Sequence, residues 1–406
     1  MTANASSSQP LTRVGEIREA VRVFIETEIY PVEAELDGPD RALRKATLAR
    51  LMQAAKAAGL WALGHPKEIG GQGMAFMDYV YVNEVIGRSN FAMPALGTQS
   101  LQDSLMLHRH ANSIWRAKYL GPLVAGDIVP SFAMTEPGVA SSDPTQIRTS
   151  AVLEGGRWII NGRKWFTTGA NEAAYTTVMC RTEEKAPPHQ AFSMIVVPTD
   201  APGYRLIRET PMMGILGGHC EVAYENVAVP EDNLLGPRGQ GFRIAQERLG
   251  PGRIFHAMRW LGQAQRAFDL MCRRMHERSA FGSPLAEKQM LQRYVFESAA
   301  EIQASRLLTL DAARRLDAGD EARFEIALIK VVGATMLHNV IDRAIQVYGA
   351  KGLTPDTPLD LMYRHARGAR IYDGPDEVHI ESVAKRLLRL YRAGGAGYDF
   401  GLRDLQ

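Results

Sequence analysis

Cysteine is scarce in this chain. Cys180, Cys220 and Cys272 are the only three in 406 residues, widely spaced and without a C-x-x-C pair. That excludes a disulfide framework and gives no reason to assign a metal. Excess charge of one sign is also missing: 47 basic residues face 45 acidic ones, for a formal charge of +2. Nucleic acid is therefore not expected as a partner. No uninterrupted apolar run reaches the roughly 18 residues of a membrane-spanning helix, and the opening MTANASSSQPLTR has no apolar centre of the kind a signal peptide needs. The expectation is a loose polar arm on a soluble, cytoplasmic protein, with no membrane partner. No G-x-G-x-x-G follows a strand pattern, and G-x-x-x-x-G-K-[ST], G-x-S-x-G and H-E-x-x-H do not occur. The commonest nucleotide-binding, hydrolase and zinc-protease readings fall away with them.

What remains is a globular composition, 46% hydrophobic and 23% charged, with a length that suggests two or three domains. Apolar residues recur at helical spacing from Leu11 to Tyr30, where Pro31 is a natural stop. Ala42 to Ala58, Met77 to Ile86 and Ser113 to Leu120 add helical signals. Near Ile128 the character changes to short β-branched segments: Thr149–Leu153, Arg157–Ile160, Tyr175–Cys180, Ala191–Val197 and Glu221–Val229. Glu154-Gly155-Gly156 and Asn161-Gly162 read as tight turns between antiparallel strands, and Pro187-Pro188 as a surface loop. Beyond Gly241 the helical period returns over Phe242–Ser279, Pro284–Ala318, Ala322–Tyr348 and Asp376–Arg392. Blocks of helix, strand and helix argue against folds in which strands and helices alternate. The expected fold is α+β: an N-terminal helical domain (1–127), a middle antiparallel β-barrel or sandwich domain (128–237) and a C-terminal four-helix bundle (238–406).

The segment Phe132 to Asp143, FAMTEPGVASSD, clusters Gly, Ser and Thr without serving as a hairpin turn. It resembles the flavin-binding signature of the acyl-CoA dehydrogenases. Three further segments agree in order: NGRKWFTT at 161–168, RSAFG at 278–282 and QVYGAKG at 346–352. The resemblance covers nearly the whole chain and implies FAD as cofactor. It implies that Phe132, Met134 and Thr135 lie against the flavin, with Ser142 near the pyrophosphate or the coenzyme A arm. Phe166 falls where the family commonly has Trp, and Thr168 matches a ring-contacting Thr. Arg278, Phe281, Gln346 and Gly349 match residues that hold the diphosphate and adenosine partly across a subunit interface, which implies a homodimer or homotetramer. Read without the resemblance, Arg278 complements a helix C-terminus, and Phe281, Trp165 and Phe166 are core aromatics.

In most of the family the base that removes the α-proton is a Glu followed by Gly. Here the matching stretch is Ile371-Tyr372-Asp373-Gly374-Pro375-Asp376-Glu377-Val378-His379, and Asp373 falls on the base position. Asp is one methylene shorter, so backbone or substrate must approach more closely. Asp-Gly-Pro-Asp is also good turn and N-cap chemistry, the alternative reading of the same residues. The resemblance assigns Pro375 and Glu377 to the cofactor side, and Gly374, Arg253 and Ser142 to the substrate. Relatives with a base on an earlier helix carry it just before the Arg matching Arg253, and that place here is Gly252. Gly250 replaces an acidic residue that often contacts coenzyme A, and Glu247 is expected to face solvent. His219 is only suggestive. TEP-x-VASSD, RLGPGR and DGPDEVH together resemble a subgroup often linked to a small-molecule kinase, which implies saturated acyl-CoAs and 4-hydroxy- or 4-phosphoacyl-CoAs. His365, Arg367 and Arg370 would add positive charge around the base segment.

The function these motifs imply is FAD-dependent α,β-dehydrogenation of an acyl-CoA to the trans-2-enoyl-CoA, as in fatty-acid β-oxidation, with electrons passed to an electron-transfer flavoprotein. A flavin oxidase of the same fold, acting on acyl-CoA or a nitroalkane, is one alternative. A flavin-free helical scaffold is another.

Overall fold

The computed structural model describes residues 13–392 together with 394 and 400, so the expected polar arm at 1–12 lies outside the described residues. Four principal helices open the fold: α1 (Arg13–Phe24), α2 (Arg41–Ala57), α3 (Phe76–Ile86) and α4 (Leu101–His110). The first continues through a wider turn at Ile25–Ile29 and a 3₁₀ turn at Tyr30–Val32 into a short helical stretch, Glu33–Asp37, so Pro31, which supplies no N–H, changes the helix type rather than stopping it. Asp40 caps α2 by accepting hydrogen bonds from the backbone N–H of Ala42 and Leu43.

Eight strands follow: β1 (Val129–Ala133), β2 (Ser150–Glu154), β3 (Arg157–Thr168), β4 (Ala173–Arg181), β5 (Phe192–Pro198), β6 (Tyr204–Glu209), β7 (His219–Pro230) and β8 (Leu234–Leu235). They pair in the order β6-β7-β3-β2-β4-β5-β8, and β1 runs parallel to β4. The sheet is therefore mixed rather than purely antiparallel, because β1 enters from the helical region instead of from a hairpin. Gly155 and Gly156, both at positive φ, form the expected two-residue turn between β2 and β3. Asn161-Gly162 is not a turn. It lies inside β3 at a register irregularity, where a Cβ on Gly162 would stand 2.7 Å from the Thr149 Cα. Glycine is there for close backbone approach.

The closing bundle comprises α5 (Gly241–Glu277), α6 (Gln289–Asp317), α7 (Arg323–Tyr348), α8 (Leu359–Gly368) and α9 (Asp376–Arg392). Between α5 and α6 a small hairpin pairs Ser279–Ala280 with Ser283–Pro284, interrupting what the sequence suggests is helix to both sides. One core unites the first helices with the bundle through Val21, Ile25, Leu51, Val80, Ile254, Leu261 and Val340. The segment Arg323–Leu353 is long and apolar enough to cross a membrane by composition, yet most of it is buried among the other helices. A second core packs Tyr175, Phe192 and Met194 of the sheet against Trp115, Leu123 and Ile244. A third lies between strands, around Trp158, Val178 and Tyr224. The long helix α5 spans both regions, and Asn83 Nδ2 ties it to α3 by donating to the Phe255 carbonyl at 2.7 Å.

Candidate active site

The segment between α8 and α9 reverses sharply at Asp373 and Gly374, whose φ angles are +57° and +103°. A left-handed aspartate is uncommon and persists only when its surroundings hold it. Three side chains do so here through four hydrogen bonds. Arg253 Nε donates to the Asp373 carbonyl at 3.0 Å, and His379 Nε2 reaches the same oxygen at 3.2 Å. Lys330 Nζ donates to the carbonyls of Ala369 at 2.6 Å and Gly374 at 3.2 Å. Its ammonium lies near the rings of Trp260 and Tyr372, and Trp260 Nε1 donates to the Tyr372 hydroxyl at 2.8 Å. Burial pushes Lys330 down to about 8 despite the attraction of Asp373 and Asp376.

The Asp373 carboxylate itself is about one-fifth exposed and stands 3.3 Å, Oδ2 to Nε2, from His256. Burial opposes its charge, but His256, Arg253 and Arg248 outweigh that effect and hold the carboxyl well below the usual carboxylate range. It is ionised. Between α4 and the first turns of α5 lies a small cavity lined by Gln102, Met106, Arg109, Arg248 and Pro251, and a Cβ at Gly250 or Gly252 would meet nothing within 4 Å. Arg248 pairs with Asp103 on α4 at 3.1 Å and covers the Phe132 ring.

The sheet supplies the other wall. Strand alternation buries Ser131 and Ala133 and leaves Phe132 and Met134 half-exposed. Lys164, fully buried, donates to the Met134 carbonyl at 2.8 Å and pairs with Glu136 at 2.9 Å. Burial works against that Glu136 carboxylate, but Lys164, Thr149 and two backbone N–H groups together lower its pKa. The Thr135 hydroxyl donates to the Trp165 carbonyl at 2.6 Å, so its proton joins the two segments. An irregularity in β3 between Lys164 and Thr167 turns Phe166 outward at φ +49°, where its ring is 41% exposed. Bulges re-aim side chains in this way. Beside it the Thr168 hydroxyl and His219 Nδ1 are 2.9 Å apart. Half-exposed aromatic and thioether groups next to a hydroxyl and backbone groups fit a flat ring with polar edges, such as a flavin.

The remaining expected residues are elsewhere. Arg278 ends α5, Phe281 is fully exposed at the hairpin tip with φ +51°, and Gln346 and Gly349 are exposed at the end of α7. Arg253 and Arg278 are separated by roughly 37 Å along one helix. Phe281 is thus not a core anchor. Ser142 is exposed in the turn after β1, and it is Ser141 whose hydroxyl accepts from the Glu136 N–H. Pro375 and Glu377 lie at the start of α9, Glu377 exposed, where a carboxylate suits the helix dipole.

Three expectations need correction. Glu247 does not simply face solvent: it meets His110 at 2.6 Å and Arg243 at 2.5 Å. His365 adds no charge, because burial, Arg364 and His219 push it down to about 4. Arg370 is engaged, its Nε donating to Asp376 at 2.6 Å. The sequence reading missed His256, Arg259 and Lys330. For His256 a signal existed: positions 253, 256 and 259 share one helix face.

Comparison with known proteins follows this layout. Residues 14–127, 131–227 and 239–388 match the N-terminal, middle and C-terminal domain models of acyl-CoA dehydrogenase. FadE2 of Mycobacterium tuberculosis, named as a probable acyl-CoA dehydrogenase, is 42% identical over 91% of this chain and 94% of its own length. Mouse acyl-CoA dehydrogenase family member 10 is 41% identical over 93% of this chain, which spans only 37% of that longer protein. A solved structure from Mycobacterium abscessus, described as a candidate acyl-CoA dehydrogenase, superposes with a TM-score of 0.89 at 38% identity, covering 94% of this chain and 100% of the other.

Proposed function

The chain belongs to the acyl-CoA dehydrogenase family of flavin-dependent oxidoreductases, and on that premise we propose that Asp373 removes the α-proton of a saturated acyl-CoA while a hydride leaves Cβ, giving the trans-2-enoyl-CoA. The observation that carries this reading is a partly exposed, ionised carboxylate on a left-handed turn whose carbonyls are held by Arg253, His379 and Lys330. Bound FAD supplies the two-electron acceptor. Met134, Thr135, Phe166 and Thr168 would hold its ring. The electrons then pass to an electron-transfer flavoprotein.

A carboxylate in water is a weak base for this work. Asp373 is partly exposed before substrate enters, and a thioester seated against it strips that water and raises the carboxylate's proton affinity. Arg253, through its bond to the Asp373 carbonyl, keeps the turn from swinging as the charge is neutralised. Arg109 and Arg248 line the cavity between α4 and α5, which suits anionic groups, including a 4-phosphate on the acyl chain. Arg278, Phe281, Gln346 and Gly349 are too distant to serve the same chain's base end, and we propose that they hold the diphosphate and adenosine of a second copy's FAD.

Anaerobic titration of the FAD-loaded protein with plain, 4-hydroxy and 4-phosphoacyl-CoAs tests the proposal. Bleaching of the flavin spectrum with a saturated thioester is expected. A flavin that stays oxidised with every thioester but is reduced by nitroalkanes would replace it with the oxidase reading.

A further inference from the structure

Within the base end, His256 is the group that the proposed reaction leaves unused. It lies one turn beyond Arg253 on α5, its side chain about 30% exposed and 3.3 Å from the carboxylate, and so it is not simply a packed core residue. Arg259 Nη2 lies 2.9 Å from its Nδ1. A guanidinium can only donate, so Nδ1 is the accepting nitrogen and Nε2 carries the proton. Arg259 is in turn directed by Asn83, whose Oδ1 lies 3.5 Å from Nη1 while its amide is committed to the Phe255 carbonyl. Arg259 thus donates to both sides, to Asn83 and to His256, and from Arg259 onward the bonds run one way, through His256 to Asp373.

Resting on the dehydrogenase reading above, we propose that His256 is a positioning residue for the base: fixed by Arg259 as the neutral Nε2–H tautomer, it binds Asp373 Oδ2 and leaves the other carboxylate oxygen for the α-proton. The short Asp side chain gives this a purpose. With one methylene fewer than Glu, its carboxylate reaches the substrate over a narrower range of rotamers, and a small misplacement of a reacting group is costly. Burial and Arg259 lower the proton affinity of His256, so it stays a neutral donor and does not compete for the abstracted proton. The other charged groups around Asp373 are Arg248 and Arg253 on α5, Lys330 on α7, and Asp376 and His379 on α9. Arg253 and His379 engage its backbone carbonyl, and Lys330 its neighbours. Among the described residues it is His256 whose side chain stands within 4 Å of the carboxylate, at 3.3 Å.

The test compares H256N and H256Q as FAD-loaded proteins. Asn keeps an acceptor for Arg259 but is too short to reach Oδ2, whereas Gln places an N–H near the lost Nε2. H256N is expected to slow flavin reduction roughly 10- to 100-fold and to move the acidic limb of its pH profile upward by about one unit, since a donor that favoured the carboxylate is gone. FAD content and acyl-CoA dissociation constant should stay within about twofold. H256Q should recover most of the rate and the wild-type limb. An H256N protein with the wild-type rate and limb would overturn the proposal, as would equal defects in both variants. If wild type itself is reduced by no acyl-CoA, the dehydrogenase reading has failed; if wild type is reduced, D373N is inert and H256N is normal, only the role of His256 has failed.

Discussion

The two ends of α5 are built on opposite plans. At the Arg253 end, a left-handed aspartate sits among Arg248, Arg253, His256 and Lys330, with its turn's carbonyls occupied by side-chain donors. At the Arg278 end, a two-strand hairpin carries a fully exposed Phe281, and Gln346 and Gly349 are bare beside it. On the proposed reading, a proton acceptor must be tuned by its surroundings, so one chain encloses it. Groups that only grip a ligand can be left open for a surface supplied from outside.

The largest effect should come from the enclosed end. D373N keeps the shape but not the charge, and flavin reduction by acyl-CoA should fall by about 10⁴-fold with FAD still bound; a normally active D373N would break the contrast at its root. At the open end, the double variant R278A/F281A should weaken FAD retention about 10- to 100-fold, the loss of a charged contact and its cover, while shifting the melting temperature little because both side chains are exposed. Equilibrium dialysis reads the first and calorimetry the second. Unchanged retention would mean that this end does not serve the cofactor.

Lys330 sharpens the comparison from the side of stability. K330M leaves the Ala369 and Gly374 carbonyls without their donor and should cost about 1–3 kcal/mol in urea unfolding, together with slower flavin reduction. A stable but slow K330M would show that the lysine shapes only the turn. The smallest expected effect concerns acid. His365 and His379 are both pushed down to about 4, mainly by burial, against about 6.5 in an unfolded chain. Between those values the unfolded chain binds protons that the native one refuses, so stability is full above about pH 6.5 and declines as pH falls toward 4. H365Q should flatten that decline by up to about 1.4 kcal/mol per pH unit, whereas R278A should leave it unchanged. An unaltered slope in H365Q would contradict a neutral His365.

Much of this was legible in the sequence. Helical periodicity located α7 and α9 to within a residue, and Gly155-Gly156 announced its hairpin because positive φ at both positions has few other uses. The edge strand β6 was not read: its burial hardly alternates, so it leaves little periodic signal. Asn161-Gly162 misled because a turn-like dipeptide can equally mark close backbone contact inside a strand. In the site, Asp373, Phe132 and Arg253 could be read from local motifs. Their support could not, since Asn83 with Arg259 and Lys330 with Gly374 meet only through tertiary packing. The charge state of His365 was hidden for the same reason: a histidine's proton affinity is set by its neighbours in space.

The central claim is that Asp373 takes the α-proton, and the proton step can be isolated with a 3-thiaacyl-CoA, which has an exchangeable α-hydrogen but no β-carbon hydride to give. Mass spectrometry of this ligand in D₂O, with wild type and D373N loaded with FAD, measures that step alone. Rapid α-deuteration by wild type and none above the uncatalysed rate by D373N is the predicted result. Deuteration by D373N at the wild-type rate would contradict it and would place the base on another residue.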